Sequence, residues 1–306
     1  MTDAMSYPAN NVVILGLGLI GGSLARALRA NGFSQRFIGY GHRELSLRRG
    51  VELGVIDDFT LDLDEAIDQV DIMVVCTPTL VAAQMLERIL PKLVGRAGGP
   101  IITDVASVKG NLLRAARGAW GGEMPPQLVL GHPIAGSENS GVDASNAQLF
   151  VDHRVILTPV EGNDPAAVAV IRAMWASAGA DVLDMTVTEH DAVLAATSHL
   201  PHVLAYTLVD ALTQAEASDD IFRFAAGGFR DFTRIASSDP VMWRDIAIAN
   251  RSALLDSIDN FSEHLANLRS AVAQENAQQL FDTFNRAKRA RDEFAVLLSQ
   301  RTEQKP

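Results

Sequence analysis

Short apolar runs and stretches of helical spacing alternate through the first half of the chain. The runs Val12–Leu15, Phe37–Tyr40, Ile72–Cys76, Ile101–Val105, Leu128–Leu130 and Val155–Leu157 read as strands. Helical spacing fills most of the gaps, at Gly22–Asn31, Leu80–Leu90, Gly110–Gly118 and Pro165–Ala178. Strands that alternate with helices predict a parallel sheet covered on both faces. A last short strand, Asp181–Met185, closes this region.

From Thr188 the strand-like runs stop, and helical spacing continues to Ser299. Leu254, Ile258, Phe261, His264 and Leu265 share one face, as do Leu280, Phe284 and Ala287. So much apolar helix surface predicts burial against a second subunit, most simply in a homodimer. The chain therefore divides into residues 1–187 and 188–306, with no linker, repeat or low-complexity segment at the boundary.

Composition narrows the classes of function. Apolar residues make up 48% of the chain, and 26 Lys and Arg against 37 Asp and Glu leave a net charge of −11. That balance supplies no basic face for nucleic acid. The one cysteine, Cys76, excludes an intrachain disulfide and predicts a reducing, cytoplasmic setting. Its apolar neighbours make it a core residue rather than a catalytic thiol. The longest apolar stretch, Val12–Ile20, is broken by glycines and too short to span a membrane, and the first ten residues lack the character of a signal peptide. No membrane or metal partner is expected. The glycosylation-like triplets starting at Asn250 and Asn260 are then chance matches.

The first chemical motif is Gly16-Leu17-Gly18-Leu19-Ile20-Gly21, between a strand and a helix. Gly16 allows a tight turn, Gly18 lets a pyrophosphate approach the backbone, and Gly21 lets helix and strand pack closely. The helix start at Leu19 and Ile20 offers free N–H groups to phosphates. The expectation is a Rossmann-type doubly wound α/β domain that binds NAD or NADP, followed by an all-helical dimerisation domain that also serves the substrate. Thr77, after the run Ile72–Cys76, joins the cofactor-contact candidates, as does Ser107. The second strand ends Tyr40-Gly41-His42-Arg43, without the acidic residue that binds a ribose 2′-hydroxyl. His42 and Arg43 could meet a 2′-phosphate instead, a lean toward NADP acceptance, although a loop arginine is also commonly just solvated.

Polar groups cluster in three further segments. Asp104, Ser107 and Lys109 follow the strand Ile101–Val105, at the sheet edge where such folds bind ligands; Asp104 and Ser107 could equally form a turn and a helix cap. His132, between Gly131 and Pro133, lies at the same edge with Glu138 beyond it, and a neutral imidazole there could take a proton from a hydroxyl group. Asp191, Ala195, Ser198 and His202 fall on one face of a regular helix that Pro201 should kink. Arg230 and Arg234 are likewise four apart, a spacing suited to a dianion or to a plain ion-pair stripe.

These motifs together resemble the prephenate/arogenate (cyclohexadienyl) dehydrogenase family. The match runs in order over residues 11 to 295, through Gly18–Ser23, Asp104–Lys109, Gly131–Pro133, Ser198–His202, Gly227–Ala236 and Met242-Trp243. The resemblance implies oxidative decarboxylation in tyrosine biosynthesis. Hydride leaves C4 of a cyclohexadiene for the nicotinamide, the 4-hydroxyl loses its proton, and the ring carboxylate departs as CO2. It implies that His132 is the catalytic histidine on the 4-hydroxyl, with Ser107 as its orienting partner. Arg234 would anchor the ring carboxylate. His202, held by Asp191, would meet the substrate side chain with Ser198 nearby. Arg230 and Trp243 would stand at the pocket mouth, and Glu138 would gate it.

Two other classes compete. One is a two-domain reductase of hydroxy acids or imines; those related to β-hydroxyacid dehydrogenases carry a Lys and, four residues later, an Asn on the domain-linking helix, and residues 165–205 hold no such pair. The other is a dinucleotide-sensing regulator, which the acidic charge disfavours. The sequence leaves open prephenate against arogenate and NAD against NADP.

Overall fold

The computed structural model describes residues 9–303 apart from Gln69, Ala97, Ser137, Glu138, Glu216 and Ala217. The chain forms two compact units, Met1–Leu254 and Leu255–Pro306. The first opens with β1 (Ala9–Leu15), α1 (Leu19–Ala30), β2 (Ser34–Tyr40), α2 (Glu44–Glu52), β3 (Asp58–Thr60) and α3 (Leu63–Asp68). It continues through β4 (Ile72–Val75), α4 (Thr79–Ile89), β5 (Ile101–Asp104), α5 (Gly110–Ala119) and β6 (Leu128–Val129). Among the described residues these six strands pair in parallel in the order β3-β2-β1-β4-β5-β6. The winding reverses between β1 and β4, and the carboxyl ends there are where such sheets bind dinucleotides.

Both faces of the sheet are buried. Val12 and Ile14 of β1, with Ile72 and Val74 of β4, enter one core. Val13 and Leu15, with Met73 and Val75, enter the other. A strand covered on both sides needs an unbroken apolar run rather than alternation, and that made these strands visible in the sequence. The short helices α2 and α3, not foreseen, span only nine and six residues, too few turns for helical spacing to stand out.

One expectation needs correction. The runs after residue 128 do not extend a single parallel sheet. The chain leaves β6 at Leu130 and starts a second sheet of β7 (Gly131–Pro133), β8 (Arg154–Leu157) and β9 (Asp181–Asp184), with α6 (Pro165–Ser177) between the last two. β7 runs antiparallel to β8, and β8 parallel to β9. A Cβ on Gly131 would stand 3.2 Å from Leu157 and 3.3 Å from the Asp104 carbonyl oxygen, so glycine lets the chain cross between the sheets. Partner choice between strands is a non-local matter, invisible in a run of three residues.

α7 (Val187–Leu194) starts at a capping box: the Thr186 hydroxyl accepts from Glu189 N at 3.2 Å, and the Glu189 carboxylate accepts from Thr186 N at 3.0 Å. A π turn, Ala195–His199, joins it to α8 (Leu200–Thr213). Pro201 has no N–H to give and its ring crowds the carbonyl four residues back, so the regular ladder fails one turn upstream. By length and hydropathy the run Val187–Thr213 could cross a bilayer. It is interrupted by the π turn and carries His190, Asp191, His199 and His202, each with a polar partner in this unit. α9 (Ser218–Arg223), α10 (Gly227–Thr233) and α11 (Pro240–Ala249) follow, then α12 (Arg251–Ala273) and α13 (Ala277–Glu303). Along these last two helices Phe261, Leu265, Phe281, Phe284 and Phe294 are exposed.

Candidate active site

The glycine turn fits a dinucleotide on the evidence of its own packing. Gly16 has φ +97°, and a Cβ there would meet the Cys76 carbonyl oxygen at 2.8 Å. A Cβ on Gly21 would lie 2.7 Å from the Gly16 oxygen and from Ile14, so α1 packs on β1 only through glycine. Gly18 differs: its backbone is extended, and nothing lies within 4 Å of a Cβ built there. No protein atom demands a glycine at that position, whereas a pyrophosphate resting on the turn would. The α1 N-terminus beside it, at Leu19 and Ile20, has no side-chain cap and no acidic residue in its first turn. Thr77, across the crevice after β4, has a buried hydroxyl without a hydrogen-bond partner.

At the carboxyl end of β5 a buried ion pair organises the neighbouring backbone. Lys109 and Asp104 are both fully buried and in direct contact. Lys109 also donates to the Gly131 carbonyl, while Asp104 accepts from Ala106 N at 2.8 Å and Gly131 N at 3.1 Å. Burial pushes the Asp104 carboxyl up and the Lys109 ammonium down, and their contact opposes both shifts. The pair ties the end of β5 to the start of β7, and so sets where His132 stands.

His132 is 8% exposed. Its Nδ1 lies 2.9 Å from Nε2 of His190, and Nδ1 of His190 lies 2.9 Å from Asp191 Oδ1. Asp191 accepts two more bonds, from Lys109 N at 2.9 Å and Gly110 N at 2.8 Å, and so caps α5 from another helix. Burial opposes ionisation of Asp191, but the bonds from His190, Lys109 and Gly110 hold its carboxyl below the usual range. Burial lowers His190, and burial with the nearby Lys109 charge holds His132 well below an ordinary histidine. Both imidazoles are therefore neutral at neutral pH, beside an ionised carboxylate.

A second group flanks the first. His202 donates from Nδ1 to the Ser198 carbonyl at 2.8 Å and stacks on Trp243, ring centroids 3.5 Å apart and 18° from parallel. Burial lowers His202, and the Arg234 charge lowers it further, so that guanidinium is within electrostatic reach. His199 accepts from the Asn250 amide at 3.1 Å, and burial takes its pKa down to about 4. That amide also donates to the Asp191 carbonyl at 2.8 Å, which accounts for Asn250 as an internal linker. The Trp243 indole N–H is buried without a partner.

Several expected relations change. Asp191 does not hold His202; it holds His190 and the start of α5, since eleven helical residues carry His202 about 16 Å along the axis, beyond the reach of a carboxylate. Nδ1 of His132 is bonded to His190 rather than to Ser107, which is half-buried after β5. Arg230 and Arg234 do not share one regular helix face: α10 ends at Thr233 and Arg234 opens a 3-10 turn, while Arg230 is exposed beside Asp231. His42 and Arg43 are exposed at the start of α2. Glu138 lies outside the described residues. His190, which the sequence did not single out, is the main addition; its only signal was its place beside Asp191 in a first helical turn.

Comparison with known proteins gives the same picture from another direction. Residues 24–184 match the family model for the prephenate dehydrogenase nucleotide-binding domain, and residues 186–286 that for the prephenate dehydrogenase dimerization domain. The chain is 36% identical to a cyclohexadienyl dehydrogenase of Zymomonas mobilis, over 92% of this chain and 94% of that one. It is 37% identical to a prephenate dehydrogenase of Bacillus subtilis, over 94% of this chain and 77% of the other. A crystal structure of prephenate dehydrogenase from A. aeolicus in complex with hydroxyphenyl propionate and NAD+ superposes with a TM-score of 0.85 at 35% identity, covering 93% of this chain and 98% of that one. The chain belongs to the prephenate dehydrogenase family.

Proposed function

We propose that this chain oxidatively decarboxylates prephenate, arogenate or both, with NAD as hydride acceptor, in the route to tyrosine. The observation that carries the reading is a buried, neutral His132 at the carboxyl edge of a sheet whose first turn is shaped for a dinucleotide. Bound on that turn, NAD supplies the acceptor for the hydride that leaves C4. His132 takes the 4-hydroxyl proton as the C4–O bond gains double-bond character. It returns a proton to that oxygen when the C1–carboxylate bond breaks, CO2 leaves and the electron pair enters the now aromatic ring. Arg234 holds the ring carboxylate, and His202 with Ser198 meets the side chain, where prephenate bears a keto group and arogenate an amino group. Trp243 backs His202, and Thr77 and Ser107 border the nicotinamide side. The proposed division is a dinucleotide domain over residues 1–187 and a helical domain over 188–306 that carries substrate residues and pairs as a homodimer through its exposed phenylalanines. The reading is tested by following NAD(P)H formation with each substrate and each cofactor; no turnover with either substrate would overturn it.

Two expected results belong here. Arg234→Ala should raise KM for the cyclohexadiene about tenfold to hundredfold and lower kcat less, because a cation on a carboxylate acts in ground and transition states alike. An unchanged KM would move the anchor elsewhere. NADP should be used at an efficiency comparable to or better than NAD, since Gly41 stands where a carboxylate would repel a 2′-phosphate and Arg43 lies two residues on. A Cβ at Gly41 would meet only Leu47, at 3.9 Å, so Gly41→Asp is sterically accommodated. It should shift relative kcat/KM toward NAD by about 1–3 kcal/mol. A wild type strictly specific for NAD would remove any part for Arg43.

A further inference from the structure

We propose that His190 is a positioning residue that fixes the tautomer of His132, keeping the proton on Nδ1 and leaving the Nε2 lone pair free for the substrate. The inference rests on the reading of His132 as the base and adds the device that makes one of its two nitrogens basic.

The argument follows donors and acceptors outward from Asp191. Its ionised carboxylate has only lone pairs to offer, and two of its bonds are taken up by the Lys109 and Gly110 backbone N–H groups, which hold it in place. Gly110 is what admits it, since a Cβ there would stand 2.7 Å from Asp191 Oδ2. Nδ1 of His190, 2.9 Å from Oδ1, must therefore carry a proton. A neutral imidazole has one proton, so Nε2 of His190 is an acceptor. The nitrogen 2.9 Å away, Nδ1 of His132, must then be the donor. That leaves Nε2 of His132 as a lone pair, and no other arrangement of one proton per ring satisfies both contacts. When His132 takes a proton from substrate, the imidazolium still donates to His190, with the Asp191 charge behind it.

The test reads proton position as well as rate. In the full-length protein with NAD, 15N NMR of labelled histidines should show His132 protonated at Nδ1; a proton on Nε2 in the wild type overturns the inference outright. His190→Ala should shift His132 toward the other tautomer and lower kcat about tenfold or more, with KM and NAD affinity unchanged. His190→Gln should recover both readouts, because its amide oxygen accepts from His132 while its NH2 donates to Asp191. An Ala variant that keeps tautomer and kcat, or a folded Gln variant no better than Ala, overturns it. His132→Asn separates the two readings. If that variant keeps kcat, the base assignment itself falls. If it loses kcat while His190→Ala keeps it, only the role of His190 falls.

Discussion

Replacing His132 with Asn should lower kcat by a factor of about 10² to 10⁴ and leave NAD affinity unchanged. The asparagine amide can still donate to His190, so the change removes one ring nitrogen and little else. The dinucleotide turn at Gly16–Gly21 lies on a different strand end and should not respond. The wild type should also show a characteristic pH profile. Burial first, then the charge of Lys109 and the neighbouring His190 and His199, hold His132 well below 6.5. A base with a lowered pKa loses activity only when pH falls through that lowered value. The acid limb of kcat/KM should therefore lie well below pH 6.5, with no histidine-like step between pH 6 and 7. A limb centred near 6.5 would mean that the titrating base is more exposed than His132.

Lys109→Met should destabilise the protein by about 3–5 kcal/mol, the cost of breaking a buried pair by removing one member. Methionine fills most of the lysine stem but leaves Asp104 in a site with no access to water. The carboxylate keeps the Ala106 and Gly131 backbone N–H groups and loses the ammonium bonded to it. Adding Asp104→Asn should recover part of the loss, because a neutral amide oxygen can still accept from the backbone without a stranded charge. Chemical denaturation of the three variants against wild type measures this. A single variant as stable as wild type would mean that Asp104 simply takes up a proton there at little cost.

The two kinds of information in the chain were unequally legible. Strands buried on both faces, such as Ile72–Val75, and a glycine turn set between strand and helix depend on local order, so the sequence read them well. His132 stood out because Gly131 and Pro133 fix its backbone at a strand end. Sheet partners did not stand out: Leu128–Val129 and Gly131–Pro133 are nearly adjacent in the chain and belong to different sheets. Nor did the polar contacts of the helix after Thr186. Periodicity put Asp191 and His202 on one helix face and the family resemblance paired them, whereas the carboxylate bonds His190 beside it in α7. The neighbour that matters to His132 is 58 residues away, and only folding reveals it.

The π turn before α8 has a consequence for how this segment tolerates insertion and deletion. An α-helix advances about 100° per residue, so helix phase is counted in residues. The π turn Ala195–His199 stores one residue beyond the regular count between His190 and His202. Deleting Thr197 would restore an ordinary ladder at little cost in backbone hydrogen bonds. α8 would keep its direction, because the wide turn already absorbs the extra residue, so the His202 ring would stay on Trp243 and within reach of the Arg234 charge while His190 and Asp191 stay where they are. A gap of one residue at this turn leaves the convergence of the histidines intact, whereas the same gap in the regular ladder of α7 would turn everything beyond it by about 100°.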